Sequence, residues 1–312
     1  MLHLAIGSRL DRVGYIAQEH LHTGGKRLRA RLALAAIEAL GGERSAAIGW
    51  AAACELLHNA TLVHDDLQDG DRVRRGQPTT WARFGKAQAV NAGDLLLMLP
   101  FQAIDRLECH DEVKWSLSRA MSRRAAATVR GQALELDLLR SGRVDDEAWS
   151  RAAEGKSGEL LALPVEGAAL LSELSVDSAV RLGDEFLRLG EIYQLQDDLL
   201  DLFGDKGRGI RGNDLREGKV SAVVVAHLAL HPGDSDELLA LLGLPRHKTP
   251  DVAVEAFIER FRAGGAMQAV QARIEAMELA TRNSCFLRSI PEVHRLALEL
   301  IQQVRRTLKV SK

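Results

Sequence analysis

The sequence is poor in the residue types that specify several common protein classes. Only three cysteines occur in 312 residues, without a CxxC pair or a zinc pattern, so a disulfide framework is not indicated. Aromatic residues make up 4% of the chain, and alternating β-branched stretches are few, so strands are not favoured. The formal net charge of −2 argues against a nucleic-acid surface that depends on bulk positive charge.

Long apolar runs are missing as well. Segment 220–230 is short and contains His227, and residues 1–6 lack the basic start and sustained apolar core of a signal peptide. We therefore expect no membrane span and a cytoplasmic location. Leu, Ala, Glu and Arg dominate and favour helices. Helical periodicity covers residues 28–40, 46–63, 87–107, 113–139, 148–171, 176–202 and 252–309 without a long linker, which predicts one helical domain over 1–312.

A DDxxD motif occurs twice in an apolar surround, as Asp65, Asp66 and Asp69 and again as Asp197, Asp198 and Asp201. Residues four apart lie on one face of a helix, so each copy projects two carboxylates in the same direction. Such carboxylates repel one another unless cations lie between them, and Mg²⁺ shared with a phosphorylated substrate suits these oxygen ligands. We predict that the six aspartates form a Mg²⁺ site for a diphosphate, with the two motifs facing each other across a central cavity.

A diphosphate also requires fixed cations, and the chain offers them beside each motif. An isolated Lys or Arg is more often a solvated surface residue, and His58 is equally compatible with a core position. Their order along the chain favours a site, because GGKRLR, a histidine, DDxxD, RRG, KSG, DDxxD and GK follow one another. The candidate substrate-binding residues are Lys26, Arg29, His58, Arg74, Arg75, Lys156 and Lys219.

The whole chain resembles the trans-type polyprenyl diphosphate synthases, which include farnesyl and geranylgeranyl diphosphate synthases. The resemblance rests on GGKRLR at 24–29, LVHDDLQD at 62–69, RRGQPT at 74–79, GQ at 131–132, KSG at 156–158, QLQDDLLD at 194–201 and NDLREGK at 213–219. It implies an all-α, single-domain helical bundle of the isoprenoid synthase type around a deep cavity, normally a homodimer. It further implies that isopentenyl diphosphate is joined to an allylic diphosphate with three Mg²⁺ ions.

The resemblance also implies a role for each candidate residue. Direct Mg²⁺ ligands would be Asp65, Asp69 and Asp197, supported by Asp66, Asp198 and Asp201. The allylic diphosphate would bind Arg74, Lys156 and Lys219, and isopentenyl diphosphate would bind Lys26, Arg29, His58 and Arg75. The polar groups near the developing carbocation would be Ser157 and Gln194. The released diphosphate takes up the proton in this scheme, so no strong side-chain base is required.

Two alternatives stay open at this point, a class I terpene cyclase and a non-catalytic subunit of a heteromeric prenyl synthase. For a synthase, product length depends on the cavity below Asp65. Ala60 stands where similar short-chain enzymes often carry an aromatic stopper, and Met98 and Phe101 either form a deeper floor or belong to the ordinary core. This arrangement favours geranylgeranyl diphosphate as the product, with farnesyl diphosphate next, and Ala60→Phe is expected to shorten the product.

Overall fold

The computed structural model describes residues 11–204 and 211–307. Within these residues the strands are limited to one short antiparallel hairpin, β1 Val73–Arg74 and β2 Gln77–Pro78. The α-helices are α1 Arg12–His22, α2 Leu28–Ala39, α3 Ile48–Gln68, α4 Thr80–Phe84, α5 Lys86–Asp105, α6 Asp111–Asp137, α7 Asp146–Ala153, α8 Glu159–Leu171, α9 Val176–Phe203, α10 Asn213–Arg216, α11 Ala222–Leu230, α12 Ser235–Leu242, α13 Asp251–Ala263, α14 Ala266–Asn283, α15 Cys285–Arg288 and α16 Pro291–Thr307.

The all-α class predicted from composition and periodicity is confirmed, although one long predicted helix is divided. The described part of segment 252–309, up to residue 307, forms α13 to α16. Gly265 adopts a φ of +87° between α13 and α14, and Ser284 leaves the helical conformation before α15. Both departures interrupt the backbone ladder that a continuous apolar period had suggested. No helix in the described parts of the chain is long and apolar enough to cross a bilayer. Residues 1–6, judged above for an export signal, lie outside the described residues.

The chain divides into two compact units. The first unit comprises Met1–Ala125 and Leu160–Asp184, and the second comprises Ala126–Glu159 and Glu185–Lys312. Each unit contains one DDxxD motif, because the first motif ends α3 and the second lies in α9. A single domain over the whole chain stays a prediction.

The core of the first unit fixes the helix that carries the first motif. Leu56, Ala60 and Val63 of α3 form one buried stripe, which packs against Ala17 of α1 and Leu96 of α5. Small side chains at Ala17 and Ala60 allow the helices to approach closely, and the larger leucines fill the remaining space. This packing fixes the rotation of α3, and with it the face on which Asp65 lies.

In the second unit, Arg273 of α14 contacts both α7 and α9. Its guanidinium donates to Asp146, to Ser150 Oγ at 2.6 Å and to Glu191, and it lies 5.1 Å from the ring centroid of Trp149. Burial raises the pKa of Glu191, and the cation of Arg273 counteracts that shift. The contacts hold α7, and therefore the turn that follows it, against α9.

Candidate active site

The first aspartate motif adopts the helical geometry that its spacing predicts. Asp69 follows the last residue of α3 but keeps helical dihedral angles, and its N–H donates to the carbonyl oxygen of Asp65 at 2.8 Å. The two carboxylates therefore lie one turn apart, and both residues are half-buried. Their assignment as metal ligands stays a prediction.

The middle aspartate of this motif has a different environment. Asp66 is 1% exposed, and its Oδ1 accepts a hydrogen bond from Arg74 Nε at 2.5 Å. Its Oδ2 is buried without a hydrogen-bond partner among the described residues. Burial raises the pKa of Asp66 to about 6, although Arg74 lowers it in turn. Asp66 thus connects the β hairpin to α3.

The hairpin separates its two adjacent arginines. Arg75 and Gly76 form the turn with φ angles of 52° and 75°, the left-handed conformation that two-residue hairpin turns require. Arg74 donates to Asp66, whereas Arg75 donates to the carbonyl oxygen of Gly24 in the GGKRLR segment. One arginine therefore contacts the aspartate helix and the other contacts the basic loop.

Two residues predicted to bind isopentenyl diphosphate meet in the first unit. Arg29 Nη1 lies 3.3 Å from His58 Nε2. Burial, followed by the charges of Arg29 and Arg75, holds the pKa of His58 well below its usual value, so the imidazole is neutral near pH 7. Lys26, by contrast, is exposed and precedes α2. Lys26 and Arg29 do not share one helical face, because the positive φ angle of Arg27 delays the start of the helix until Leu28.

The start of α2 is occupied by a carboxylate that the sequence analysis missed. Glu55 of α3 is 4% exposed and accepts from Arg27 Nη1 and from the backbone N–H of Ala30, each at 3.4 Å. A helix N-terminus favours negative charge, and the carboxylate of Glu55 supplies it here from within the protein. A glutamate inside the apolar run 51–57 was the available signal, because a buried carboxylate requires a partner.

A cavity of about 270 Å³ opens beside the hairpin in the first unit. Asp66, Arg74 and Arg75 line it together with residues of α1 and α4. His20 also lines it, and burial together with the charge of Arg74 lowers the pKa of His20 to about 4. The cationic hairpin is therefore accessible from a concave surface.

The second motif shows the same contrast between its carboxylates. Asp197 is half-buried, whereas Asp198 and Asp201 are 2% and 3% exposed. Asp198 accepts from Gln194 Nε2 at 2.9 Å and from the backbone N–H of Ala222 at 2.7 Å. Burial, with a contribution from nearby negative charge, raises the pKa of Asp198 well above its usual value.

Lys156 and Ser157 lie in a π-helical turn, Glu154–Gly158, between α7 and α8. Ser157 Oγ donates to Gln194 Oε1 at 3.0 Å, so the two polar residues predicted to lie near the carbocation are adjacent. Lys156 forms an ion pair with Glu135 of α6. The sequence analysis missed Glu135, whose position four residues after Gly131 on a helix would have pointed to the same face.

Glycines hold this π-turn close to its neighbouring helices. A Cβ atom on Gly131 of α6 would lie 2.3 Å from the backbone nitrogen of Lys156. On the other side, a Cβ atom on Gly190 of α9 would lie 2.3 Å from the Cα atom of Gly158. Backbone therefore packs directly on backbone at both faces of the turn. π-helical insertions of this kind occur frequently at functional sites.

The last predicted cation, Lys219, follows α10. Its Nζ lies 2.8 Å from Glu217 Oε2, and Arg246 contacts the other oxygen of the same carboxylate at 2.9 Å. Within 11–204 and 211–307, no three carboxylate, histidine or cysteine side chains are grouped so that they alone hold a metal ion.

A family model described as polyprenyl synthetase matches residues 11–260. The chain belongs to the polyprenyl synthetase family. It is 34% identical over 252 residues to a short chain isoprenyl diphosphate synthase of Methanothermobacter thermautotrophicus, covering 79% of this chain and 77% of that protein. It is 31% identical to a geranylgeranyl diphosphate synthase of Saccharolobus solfataricus, with 90% and 85% covered. The crystal structure of a polyprenyl synthetase from Streptomyces coelicolor A3(2) matches with a TM-score of 0.85, 25% identity, and 97% and 95% covered.

Membership in the polyprenyl synthetase family makes this chain a trans-prenyltransferase and confirms the expected reaction class. The two alternatives, a terpene cyclase and a non-catalytic subunit, are not favoured. Enzymes of the family join isopentenyl diphosphate to allylic diphosphates and use Mg²⁺. The individual roles of the aspartates and cations stay predictions.

Proposed function

We propose that this synthase condenses isopentenyl diphosphate with an allylic diphosphate to give an all-trans prenyl diphosphate of medium length, geranylgeranyl diphosphate first and farnesyl diphosphate second. The observation that carries the proposal is that each unit combines at least one half-buried aspartate of a DDxxD motif with a lysine or arginine held by a carboxylate. In the first unit these are Asp65, Asp69 and Arg74, and in the second Asp197 and Lys156.

The donor set fits Mg²⁺. Asp65, Asp69 and Asp197 are half-buried oxygen donors, and no preformed cage of three protein ligands exists in the described residues. Mg²⁺ characteristically takes one or two carboxylates and completes its shell with water and substrate phosphate. When bound, the ions supply charge neutralisation for the departing diphosphate.

The chain's own residues perform the remaining tasks. Arg74, Lys156 and Lys219 bind the allylic diphosphate and stabilise the charge that develops as its C–O bond breaks. Lys26, Arg29, His58 and Arg75 orient isopentenyl diphosphate so that its double bond attacks the allylic carbon. The hydrogen-bonded pair of Ser157 and Gln194 presents oxygen lone pairs to the cation. The diphosphate leaving group takes the proton lost in the last step.

The direct test is incubation of the purified protein with Mg²⁺, labelled isopentenyl diphosphate and dimethylallyl, geranyl or farnesyl diphosphate, followed by chain-length analysis. We expect growth to twenty carbons. Omission of isopentenyl diphosphate separates the reactions, because a terpene cyclase consumes a prenyl diphosphate alone and a synthase does not. Absence of chain growth with every primer would contradict the proposal.

The packing of α3 changes which residues we expect to limit product length. Ala60 is 1% exposed and belongs to the packed stripe of α3 that faces α1 and α5, not to the face that carries Asp65. Met98, proposed as part of a cavity floor, is 53% exposed. Thr61 lies one turn before Asp65 on the same face, and its Oγ1 donates to the carbonyl oxygen of His58 at 2.8 Å. We propose that Thr61 and Leu57 border the growing chain.

Thr61→Phe is therefore expected to shorten the product to fifteen carbons or fewer, because the ring extends along the face that carries Asp65. Ala60→Phe, the matched variant, overpacks the core instead and lowers the free energy of unfolding by about 1–3 kcal/mol. Product analysis and thermal unfolding separate the two effects. A normal product from active Thr61→Phe, or a shortened product from stable Ala60→Phe, would contradict this assignment.

A second copy of the chain is the partner that we propose. One face of α5 carries an apolar stripe. It consists of Val90, Leu97, Met98 and Phe101, at spacings of seven, one and three residues. Val90 is 42% exposed, and Leu97 and Phe101 are half-buried. An apolar stripe of this kind suits the centre of a homodimer interface, which is richer in apolar residues than the remaining surface.

Arg74 and Arg75 contact different parts of the first unit, which supports the proposal that they bind different substrates. Arg75→Ala is expected to raise the KM for isopentenyl diphosphate about 10- to 100-fold, the range for loss of a charged hydrogen bond. Arg74→Ala is expected to raise the KM for the allylic diphosphate by a similar factor. Arg72→Ala provides a control, because that side chain lies over Trp81 at 5.2 Å from the ring centroid. Equal effects of both variants on both substrates would show that the roles are not separate.

A further inference from the structure

The segment that carries Lys219 is attached to the second aspartate helix at its beginning. Gly212 donates its N–H to the carbonyl oxygen of Asp201 at 2.8 Å. Two residues later, the N–H of Asp214 donates to Asp201 Oδ2 at 3.0 Å. Asp201 is 3% exposed, so its carboxylate lies against this backbone and not at the surface.

The contact with Asp201 supplies a helix cap that the local sequence lacks. Gly212 occupies the N-cap position of α10 with a φ of +71° and has no side chain that accepts from the first turn. The amide of Asp214 is at the second helical position, one of the donors that an N-cap side chain normally satisfies. The carboxylate of Asp201 accepts from it across a gap of 13 residues in the chain.

Hydrogen bonds connect this cap to Lys219. The carbonyl oxygen of Asp214, whose N–H binds Asp201, accepts from the N–H of Lys219 at 2.9 Å. One residue, Asp214, thus lies between the carboxylate of Asp201 and the backbone of the lysine. Gly218, with a φ of +72°, turns the chain at this point.

The same helix holds the far end of the segment. Asp198 Oδ2 accepts from the N–H of Ala222, the first residue of α11, at 2.7 Å. Asp198 and Asp201 are three residues apart on α9 and therefore lie on neighbouring positions of one helical face. Lys219 lies between the two attached points, five residues after Asp214 and three before Ala222.

We infer that Asp201 and Asp198 are positioning residues that hold the 212–222 segment, and with it Lys219, against the aspartate helix, and that they are not themselves metal ligands. The consequence for catalysis rests on the proposed role of Lys219 in binding the allylic diphosphate. The anchoring itself does not depend on that role.

Replacement of Asp201 by Asn or by Ala distinguishes an anchor from a metal ligand. Asn caps a helix about as well as Asp, because its amide oxygen accepts the same backbone hydrogen bond. An anchor therefore tolerates Asp201→Asn, and we expect the allylic KM to stay within about threefold of the wild-type value. Asp201→Ala removes the acceptor, and we expect that KM to rise about tenfold with the Mg²⁺ concentration for half-maximal activity unchanged.

Hydrogen exchange of the substrate-free protein tests the anchor without catalysis. In Asp201→Ala the amides of Asp214 and Lys219 are expected to exchange about tenfold faster, whereas in Asp201→Asn they stay protected. Asp11→Ala is the matched control, since Asp11 Oδ1 caps α1 through the N–H of Gly14 at 2.8 Å. It removes the same kind of hydrogen bond and is expected to leave these amides and the allylic KM unchanged.

Asp197→Asn is the contrasting variant in the same motif. We expect it to raise the Mg²⁺ requirement and to leave hydrogen exchange in the 212–222 segment unchanged. The inference is overturned if Asp201→Asn raises the Mg²⁺ requirement as Asp197→Asn does, or if Asp201→Ala leaves the amides of Asp214 and Lys219 protected. If the wild-type protein extends no allylic primer, the proposed function fails, yet the exchange result still tests the anchor.

Discussion

Replacement of Asp65 or Asp197 by Asn is expected to lower kcat by at least about 10²–10³-fold, the cost of losing one well-placed electrostatic contribution to a transition state. Each substitution removes a ligand charge from a site whose task is to neutralise a departing diphosphate. Folding should survive, because both residues are half-buried and neighbouring carboxylates repel each other less once one is neutral. Steady-state kinetics over a Mg²⁺ titration, with a thermal unfolding curve for each variant, measure both effects.

Asp105→Asn is the matched control for these variants. Asp105 is an exposed aspartate at the end of α5, and the same charge is lost there without a change in the motif. We expect it to keep the wild-type kcat and Mg²⁺ requirement. Near-normal turnover of Asp65→Asn or Asp197→Asn with an unchanged Mg²⁺ requirement would contradict their assignment as ligands.

The helical positions of the site were predictable because they depend on local spacing. The one-turn separation of Asp65 and Asp69 follows from the helical repeat, and so does the placement of His58 on α3. The family resemblance implied that Ser157 and Gln194 both lie near the carbocation, but the contact between these residues, 37 positions apart, was not predicted. Periodicity alone contains no information about such a pair.

The different environments of the carboxylates within each motif were not predictable from spacing. Asp66 and Asp198 look like further ligands in the sequence, yet each accepts hydrogen bonds from donors on other elements, Arg74 on the hairpin and the amide of Ala222. Those donors are brought to α3 and α9 by tertiary packing. Hydrogen bonds of this kind compensate for part of the cost of burying a carboxylate.

The π-turn was also invisible to periodicity, because Glu154–Gly158 inserts into what reads as one apolar helix over 148–171. Its signal lies in the glycines that surround it. Gly131, Gly155, Gly158 and Gly190 belong to three segments, and only the structure shows that they meet. The close backbone approach explains why side chains are absent at these four positions.

Gly131→Ala and Gly190→Ala are expected to lower kcat about 100-fold. Each new Cβ atom would lie 2.3 Å from a backbone atom of the π-turn, and ordinary contact requires about 3.4 Å, so the turn must move by roughly 1 Å. A displacement of that size in a substrate-positioning group typically costs about 100-fold in rate. Lys156 and Ser157 move with the turn, because the atoms that clash belong to Lys156 and Gly158 themselves.

Gly233→Ala is the matched control, because a Cβ atom there meets nothing within 4 Å and the backbone is not left-handed. It is expected to keep the wild-type kcat. Thermal unfolding separates displacement from collapse, since overpacking at Gly131 or Gly190 lowers the free energy of unfolding by about 1–3 kcal/mol and leaves a folded enzyme to assay. A folded Gly131→Ala or Gly190→Ala variant with wild-type kcat would show that the position of the π-turn does not limit the reaction. A loss of kcat in both, with the KM for isopentenyl diphosphate unchanged, would assign the turn to the allylic half of the reaction, where Lys156 and Ser157 are proposed to act.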